Sequence, residues 1–288
     1  MPKVSAARPV GAKKPKLGQH FLADSSASHR IVDALGDLGA VTVLEIGPGR
    51  GAITDLLAKT ARRLIAVELD RVLAAQLRMK FALTPNVEII EGDILAMDFD
   101  SIFGPKPGSS RPGMEHKPEP VKVVGNLPYF LTSDILLRLF AFRQYFEAFV
   151  LMVQREVAER LAAKPGGSEY GLLSATAQLY TRIENLFTLP PGAFSPPPKV
   201  ESSVVRLVPT SRLETLHVPE EQFIGFLKLV FGQKRKTLWN NLKMEYDTAK
   251  LRGALSKTGI EPNVRAEALS LDRTAALFRV LLDGNLSS

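Results

Sequence analysis

A chain of 288 residues, 45% of them hydrophobic and with a mean hydropathy of +0.03, can bury a sizeable core, and it holds no apolar run near the ~20 residues that cross a bilayer. The absence of cysteine excludes disulfides, thiolate zinc sites and any mechanism with a cysteine nucleophile, and it fits a reducing, cytoplasmic setting. The net charge of +7 is unevenly spread: residues 1–23 hold five bases and no acid, residues 231–252 hold six bases against Glu245 and Asp247, and the remainder sums to −2. Two basic patches around a neutral body suit a polyanion, with a solvated tail and a charged helix face as the plainer alternative.

In chain order, residues 1–16 are rich in Pro, Lys and Ala and read as a disordered basic tail. They resemble a transit peptide in charge but lack the apolar stretch of a secretion signal. Asp24 or Ser25 then caps a helix whose Ile31, Val32, Leu35 and Leu38 face inward. Val41 to Ile46 is a nearly continuous apolar run, as expected of a parallel strand covered on both faces. Gly47 breaks it, and a helix from Ala52 to about Lys59 follows. Strand, glycine turn and helix N-terminus together make a nucleotide pocket, because backbone approaches a ligand closely only where side chains are missing.

Gly47-x-Gly49-x-x-Ala52 also satisfies the dinucleotide fingerprint, with Glu68 at the ribose-binding spacing, so a nicotinamide cofactor stays open at this point. Glu45 at the strand end favours a ligand bearing an ammonium or sulfonium over a pyrophosphate. The pattern Leu44-Glu-x-Gly-x-Gly-x-Gly51 resembles motif I of S-adenosylmethionine-dependent methyltransferases.

Further strands are expected at 63–68, 87–91, 121–125, 147–153, 182–188 and 200–208, with helices near 71–82, 132–142, 154–163 and 170–180. The last two strands are joined only by a Pro-rich connection, which implies a hairpin closing an otherwise parallel sheet, the methyltransferase variant of the doubly wound α/β fold. Residues 104–120, dense in Gly, Pro and Ser, read as an inserted loop. After Pro209 only helical patterns occur, near 219–232, 234–243, 248–257 and 272–283. The expected division is a tail at 1–16, a Rossmann-like methyltransferase domain at 17–209 and a small all-α domain at 215–288.

Ligand contacts are expected at the carboxyl ends of the parallel strands. Glu68 can accept both ribose hydroxyls, and Asp93 can accept the adenine amine with Ile94 packed on the ring. Gly125-Asn126-Leu127-Pro128-Tyr129 ends the fourth strand and has no use in hydride transfer. An exocyclic amine is a poor nucleophile because its lone pair is delocalised into the ring. A catalyst must therefore accept hydrogen bonds from it, here through the Asn126 side-chain oxygen and the Leu127 carbonyl, with Pro128 fixing the turn and Tyr129 offering a stacking face. Phe194, in the Pro-rich connection, is the candidate for the opposite face of the base.

Lys16-Leu-Gly-Gln-His-Phe-Leu22, Glu45-Ile-Gly-Pro-Gly-Arg-Gly51, Glu68-Leu-Asp70, Gly92-Asp93, Asn126-Leu-Pro-Tyr129 and Phe194-Ser-Pro-Pro-Pro-Lys-Val200 resemble, in order and spacing, the rRNA adenine N6-dimethyltransferase family. Phe231 to Leu242 and Gly259 to Glu267 resemble its small-subunit branch more than its erythromycin-resistance 23S branch; His20 stands where some members carry Asn. The resemblance implies a monomeric enzyme that dimethylates N6 of two adjacent adenosines near the 3′ end of 16S rRNA, within an immature 30S subunit. It implies S-adenosylmethionine as donor, held by His20, Leu22, Glu45, Gly47, Gly49, Glu68, Asp93, Ile94 and Asn126, with no metal. A non-catalytic assembly factor with a vestigial donor pocket is the competing class.

Overall fold

A computed structural model describes residues 20–104 and 119–283. The basic tail and nearly all of the expected 104–120 loop lie outside the described residues. The chain opens with a two-residue strand β1 (Phe21–Leu22) and helix α1 (Ser25–Asp33), which starts where the Asp24 carboxylate accepts the Ala27 N–H at 3.0 Å. Alternation then begins: β2 (Thr42–Ile46), α2 (Thr54–Thr60), β3 (Arg63–Glu68), α3 (Arg71–Lys80), β4 (Val87–Glu91) and the short α4 (Phe99–Phe103). It continues through β5 (Val121–Asn126), α5 (Thr132–Ala141), β6 (Phe146–Gln154), α6 (Arg155–Leu161), α7 (Leu172–Tyr180), β7 (Thr181–Leu189), β8 (Phe194–Ser195) and β9 (Ser202–Pro209).

Seven strands form one sheet in the order β4-β3-β2-β5-β6-β9-β7. β4 through β6 are parallel, and β9 runs antiparallel to both of its neighbours, β6 and β7. The expected hairpin is present, and its second strand lies between β6 and β7. Strand order reverses between β2 and β5, so their carboxyl ends frame the crevice where ligands of such sheets bind. Alternate residues of β2 feed two apolar clusters: Leu44 and Ile46 face one, Val43 the other.

Helices α8 (Leu213–Leu216), α9 (Glu220–Val230), α10 (Leu238–Leu242), α11 (Thr248–Lys257) and α12 (Leu271–Asp283) follow the sheet. Phe223 and Phe226 of α9 pack edgewise or tilted on Phe278 of α12, and this cluster is continuous with the sheet's larger core. Arg143 makes a two-pronged pair with Glu220 at the head of α9, both contacts 2.8 Å, and Tyr180 donates to the same carboxylate at 2.9 Å. The helix expected at 234–243 is shorter than its sequence pattern. Thr237 caps it by accepting the Asn240 N–H at 3.3 Å and bridges to Arg265, which leaves Lys234, Arg235 and Lys236 exposed on a turn.

At Gly125 the β2 and β5 backbones approach so closely that an added Cβ would sit 2.7 Å from the Ile46 carbonyl oxygen. Gly125→Ala is expected to lower stability by about 1–3 kcal/mol through that overlap. A urea melt read by circular dichroism checks it, as a fall in the unfolding midpoint.

Candidate active site

The turn after β2 takes a conformation that favours glycine at three positions: φ is +66° at Gly47, +58° at Gly49 and +86° at Gly51. A Cβ at Gly49 would lie 2.8 Å from the Phe21 ring, and one at Gly47 would lie 3.7 Å from the Asn126 carbonyl oxygen. The turn is thus closed over by the N-terminal strand on one side and by the end of β5 on the other. Glu68, at the tip of β3, holds its shape: the two carboxylate oxygens accept the Gly49 N–H at 3.0 Å and the Asp70 N–H at 2.9 Å. Each oxygen keeps a second lone pair for a ligand hydroxyl. Burial raises the Glu68 carboxyl above the usual range, and the two backbone donors oppose that shift.

Asn126 ends β5, and its side chain donates from Nδ2 to the His20 carbonyl oxygen at 2.8 Å. A carbonyl only accepts, so the group facing it must be the NH₂, and Oδ1 is left as the acceptor available to a ligand. His20 is itself fixed: its Nδ1 bonds the Pro196 carbonyl at 2.8 Å, and its ring stacks on Tyr129 with centroids 5.8 Å apart. Because the Pro196 oxygen accepts, Nδ1 carries the hydrogen. The Tyr129 hydroxyl shares a hydrogen with Ser202 Oγ at 2.8 Å, and the Leu127 N–H is spent on the Met152 carbonyl at 3.0 Å. The Pro128 carbonyl accepts from the Leu131 N–H and the Thr132 hydroxyl, tightening the turn into α5.

A hollow at the carboxyl edge of the sheet brings together His20, Gly47, Gly49, Glu68, Asp93, Ile94, Asn126, Leu127, Pro128 and Tyr129. Leu22 and Glu45 lie in an adjoining recess that shares Gly47, Gly49 and Asn126 with it. Asp93 is exposed and accepts the Leu95 N–H with Oδ1 at 2.9 Å. Phe194 is placed differently from expectation. Pairing of β8 with β1 sets it opposite Leu22 and turns its ring into the smaller apolar cluster, where it is 3% exposed and lines neither hollow. It supports the strand that closes the glycine turn and does not form a wall for a base. Sequence reasoning gave no role to Phe21, which packs on Gly49 and lies under Arg50, or to Phe130, 54% exposed at the rim. Gly125 was the available signal for the close approach, being a glycine inside a strand just before Asn126.

A wider hollow opens at the opposite, amino edge of the sheet, lined by Thr42, Arg62, Arg63 and Tyr145 among others. Its charges are paired, Arg62 with Glu119 and Arg63 with Glu88, so it offers no converging reactive set among the described residues. Among the described residues no cluster of three or more His, Asp or Glu could hold a metal ion.

A family model described as ribosomal RNA adenine dimethylase matches residues 10–283. The chain belongs to that family. Members of the ribosomal RNA adenine dimethylase family are S-adenosylmethionine-dependent enzymes, and this chain is one of them. It is 56% identical over 285 residues to the ribosomal RNA small subunit methyltransferase A of Koribacter versatilis, covering 99% of this chain and 100% of that relative. Its fold is similar to a dimethyladenosine transferase from Plasmodium falciparum (TM-score 0.70, 23% identity, 93% of this chain and 98% of the other). It is similar as well to the 23S rRNA methyltransferase ErmE (TM-score 0.62, 25% identity, 91% and 99%). The family assignment removes the nicotinamide alternative left open by the glycine spacing.

The glycine turn suits the donor on the structure's own terms, since the positive φ at Gly47 and Gly49 holds bare backbone against the hollow, and Glu45 presents a buried acid to a cationic ligand. Gly49→Ala is expected to weaken binding of S-adenosylhomocysteine at least about tenfold, through the clash with Phe21 and the unfavourable φ. Isothermal calorimetry checks this.

Proposed function

We propose that this chain dimethylates N6 of two adjacent adenosines near the 3′ end of 16S rRNA, acting as a cytoplasmic monomer on an immature 30S subunit. The observation that carries the reading is the fixed Asn126 amide, whose Oδ1 is left free beside Leu127 and a short step from the Gly47–Gly49 turn. The donor, when bound, supplies an electrophilic methyl group on a sulfonium. His20, Leu22, Glu45, Gly47, Gly49, Glu68, Asp93, Ile94 and Asn126 would hold it, with Glu68 toward the ribose and Asp93 toward the adenine amine.

The acceptor half of the reaction belongs to Asn126 and its neighbours. Asn126 Oδ1 and the Leu127 carbonyl accept the two N6 hydrogens, drawing the amine out of conjugation so that its lone pair becomes available. Tyr129 holds the plane of the flipped base, and its hydroxyl anchor on Ser202 keeps the ring from turning. After the first transfer one hydrogen remains on N6, so only one of the two acceptors is engaged and the base must rotate for the second. A single stacked face with an open rim at Phe130 permits that rotation, which supports the dimethylated product. The 56% identity to a small-subunit methyltransferase supports the 16S target. We assign the helices after residue 215 to RNA binding, on the strength of the exposed Lys234-Arg235-Lys236 turn.

The assignment is tested by incubating the protein with labelled donor and undermethylated 30S particles, 50S particles or DNA, followed by nucleoside mass spectrometry. N6,N6-dimethyladenosine from 30S particles is expected, and Asn126→Ala should abolish it while weakening donor binding far less. Product from 50S particles alone would favour the 23S reaction that the likeness to ErmE brings into view.

Lys234, Arg235 and Lys236 supply charge without directional pairing to bases, so they are expected to contact phosphates. Reversing these three charges should weaken RNA binding and flatten its salt dependence by about two to three units of log–log slope, with donor affinity unchanged. Filter binding across a salt series measures the slope.

A further inference from the structure

Glu45 is the one carboxyl in this pocket that the hydrogen-bond arrangement leaves unsettled. It projects from the fourth position of β2, a strand whose every residue is buried, and is itself 2% exposed. Its partners across the sheet, Ala66 on β3 and Val124 on β5, are apolar. Oε2 makes no hydrogen bond of good geometry, and neither does the Thr54 hydroxyl at the start of α2, its nearest polar neighbour. The charged groups that face it are acids: Glu68 from β3, and Asp55 from α2, which is paired at 2.6 Å with Lys80 of α3. Arg50 shares the recess, but its guanidinium lies 4.6 Å over the Phe21 ring. The recess opens beside Gly47 and Gly49, continuous with the donor hollow.

A carboxylate buried this deeply, with no cation bonded to it and the Glu68 carboxylate facing it, is held more cheaply as the neutral acid. Burial first, then Glu68 and Asp55, pushes the Glu45 carboxyl up to about 8, with Thr54 opposing. An α-ammonium brought into the recess reverses that balance, because it supplies the missing counter-charge and a donor for the unpartnered oxygen.

We propose that Glu45 is protonated in the free enzyme and ionises when the donor's amino-acid end enters its recess, so that each binding event releases a proton to solvent. The balance is simple: the carboxyl O–H bond breaks, the proton passes to buffer, and the carboxylate remains as partner of the ligand's ammonium. This rests on the donor reading above and adds a linkage to it. Affinity for donor and product then rises with pH, by about tenfold per unit well below pH 8, and falls again at the alkaline pH where the ligand's own ammonium loses its proton.

Calorimetric titration of the full chain with S-adenosylhomocysteine at pH 7, in phosphate and in Tris, reads the proton directly from the difference in heats. Close to one proton released is expected, falling toward none near pH 9. 5′-Methylthioadenosine, which keeps the nucleoside and lacks the ammonium, should bind with no proton released. Glu45→Gln, which preserves the neutral shape, should bind S-adenosylhomocysteine more weakly, with equal heats in both buffers and little pH dependence. Release of no proton by the native protein would overturn the linkage, as would an undiminished release from Glu45→Gln or with 5′-methylthioadenosine. Failure of S-adenosylhomocysteine to bind at all would overturn the donor site itself.

Discussion

The geometry of the candidate site depends on one close approach of backbones. β2 and β5 lie side by side where the strand order reverses, and Gly125 lets them close to a distance that no side chain would allow against the Ile46 carbonyl. That contact sets the glycine turn, which β2 delivers, against Asn126, which β5 delivers. The proposed donor floor and the proposed acceptor motif are therefore adjacent because two strands are adjacent, with no loop needed to bring them together. Loops contribute cover: β1 crosses the turn through Phe21, and its neighbouring His20 carbonyl fixes the Asn126 amide.

Charge is divided between two ligands of opposite sign. The pocket is lined by Glu45, Glu68 and Asp93 and is suited to a cationic small molecule. The exposed Lys234-Arg235-Lys236 turn lies among the helices that follow the sheet and is suited to a phosphate chain. A net charge of +7 thus conceals an acidic site within a basic protein. The long-range field favours encounter with a polyanion, while contacts at close quarters select the donor.

The central strands were legible in the sequence as apolar runs stopped by glycine or a polar pair, and their ends named Gly47, Glu68, Asp93 and Asn126, which meet in the hollow, but not Leu69 or Phe130, which also line it. Three features were not legible. The β1–β8 pairing joins two residues to two others far along the chain, too short for any periodicity, and it alone determines that Phe194 turns into the core. The position of β9 inside the sheet is a matter of topology that a hairpin signal does not contain. The helix expected at 234–243 follows an unbroken polar and apolar pattern, yet the Thr237 cap begins it late, and only the contact with Arg265 explains why the basic triplet stays outside it.

The inserted strand also bears on how the chain reaches its fold. β9 is the last strand to be synthesised, yet it lies between β6 and β7, so neither of those faces can be paired until residue 209 has emerged. A nascent chain lacking it holds the glycine turn and the Asn126 motif on a five-stranded sheet whose β6 edge is open, the kind of edge that recruits other strands. The β1 cover must wait as well, because its partner β8 immediately precedes β9. Completion of the pocket and closure of the sheet's exposed edge are in this way one late event, and a release of the chain before that event would yield an aggregating intermediate in place of a partly active enzyme.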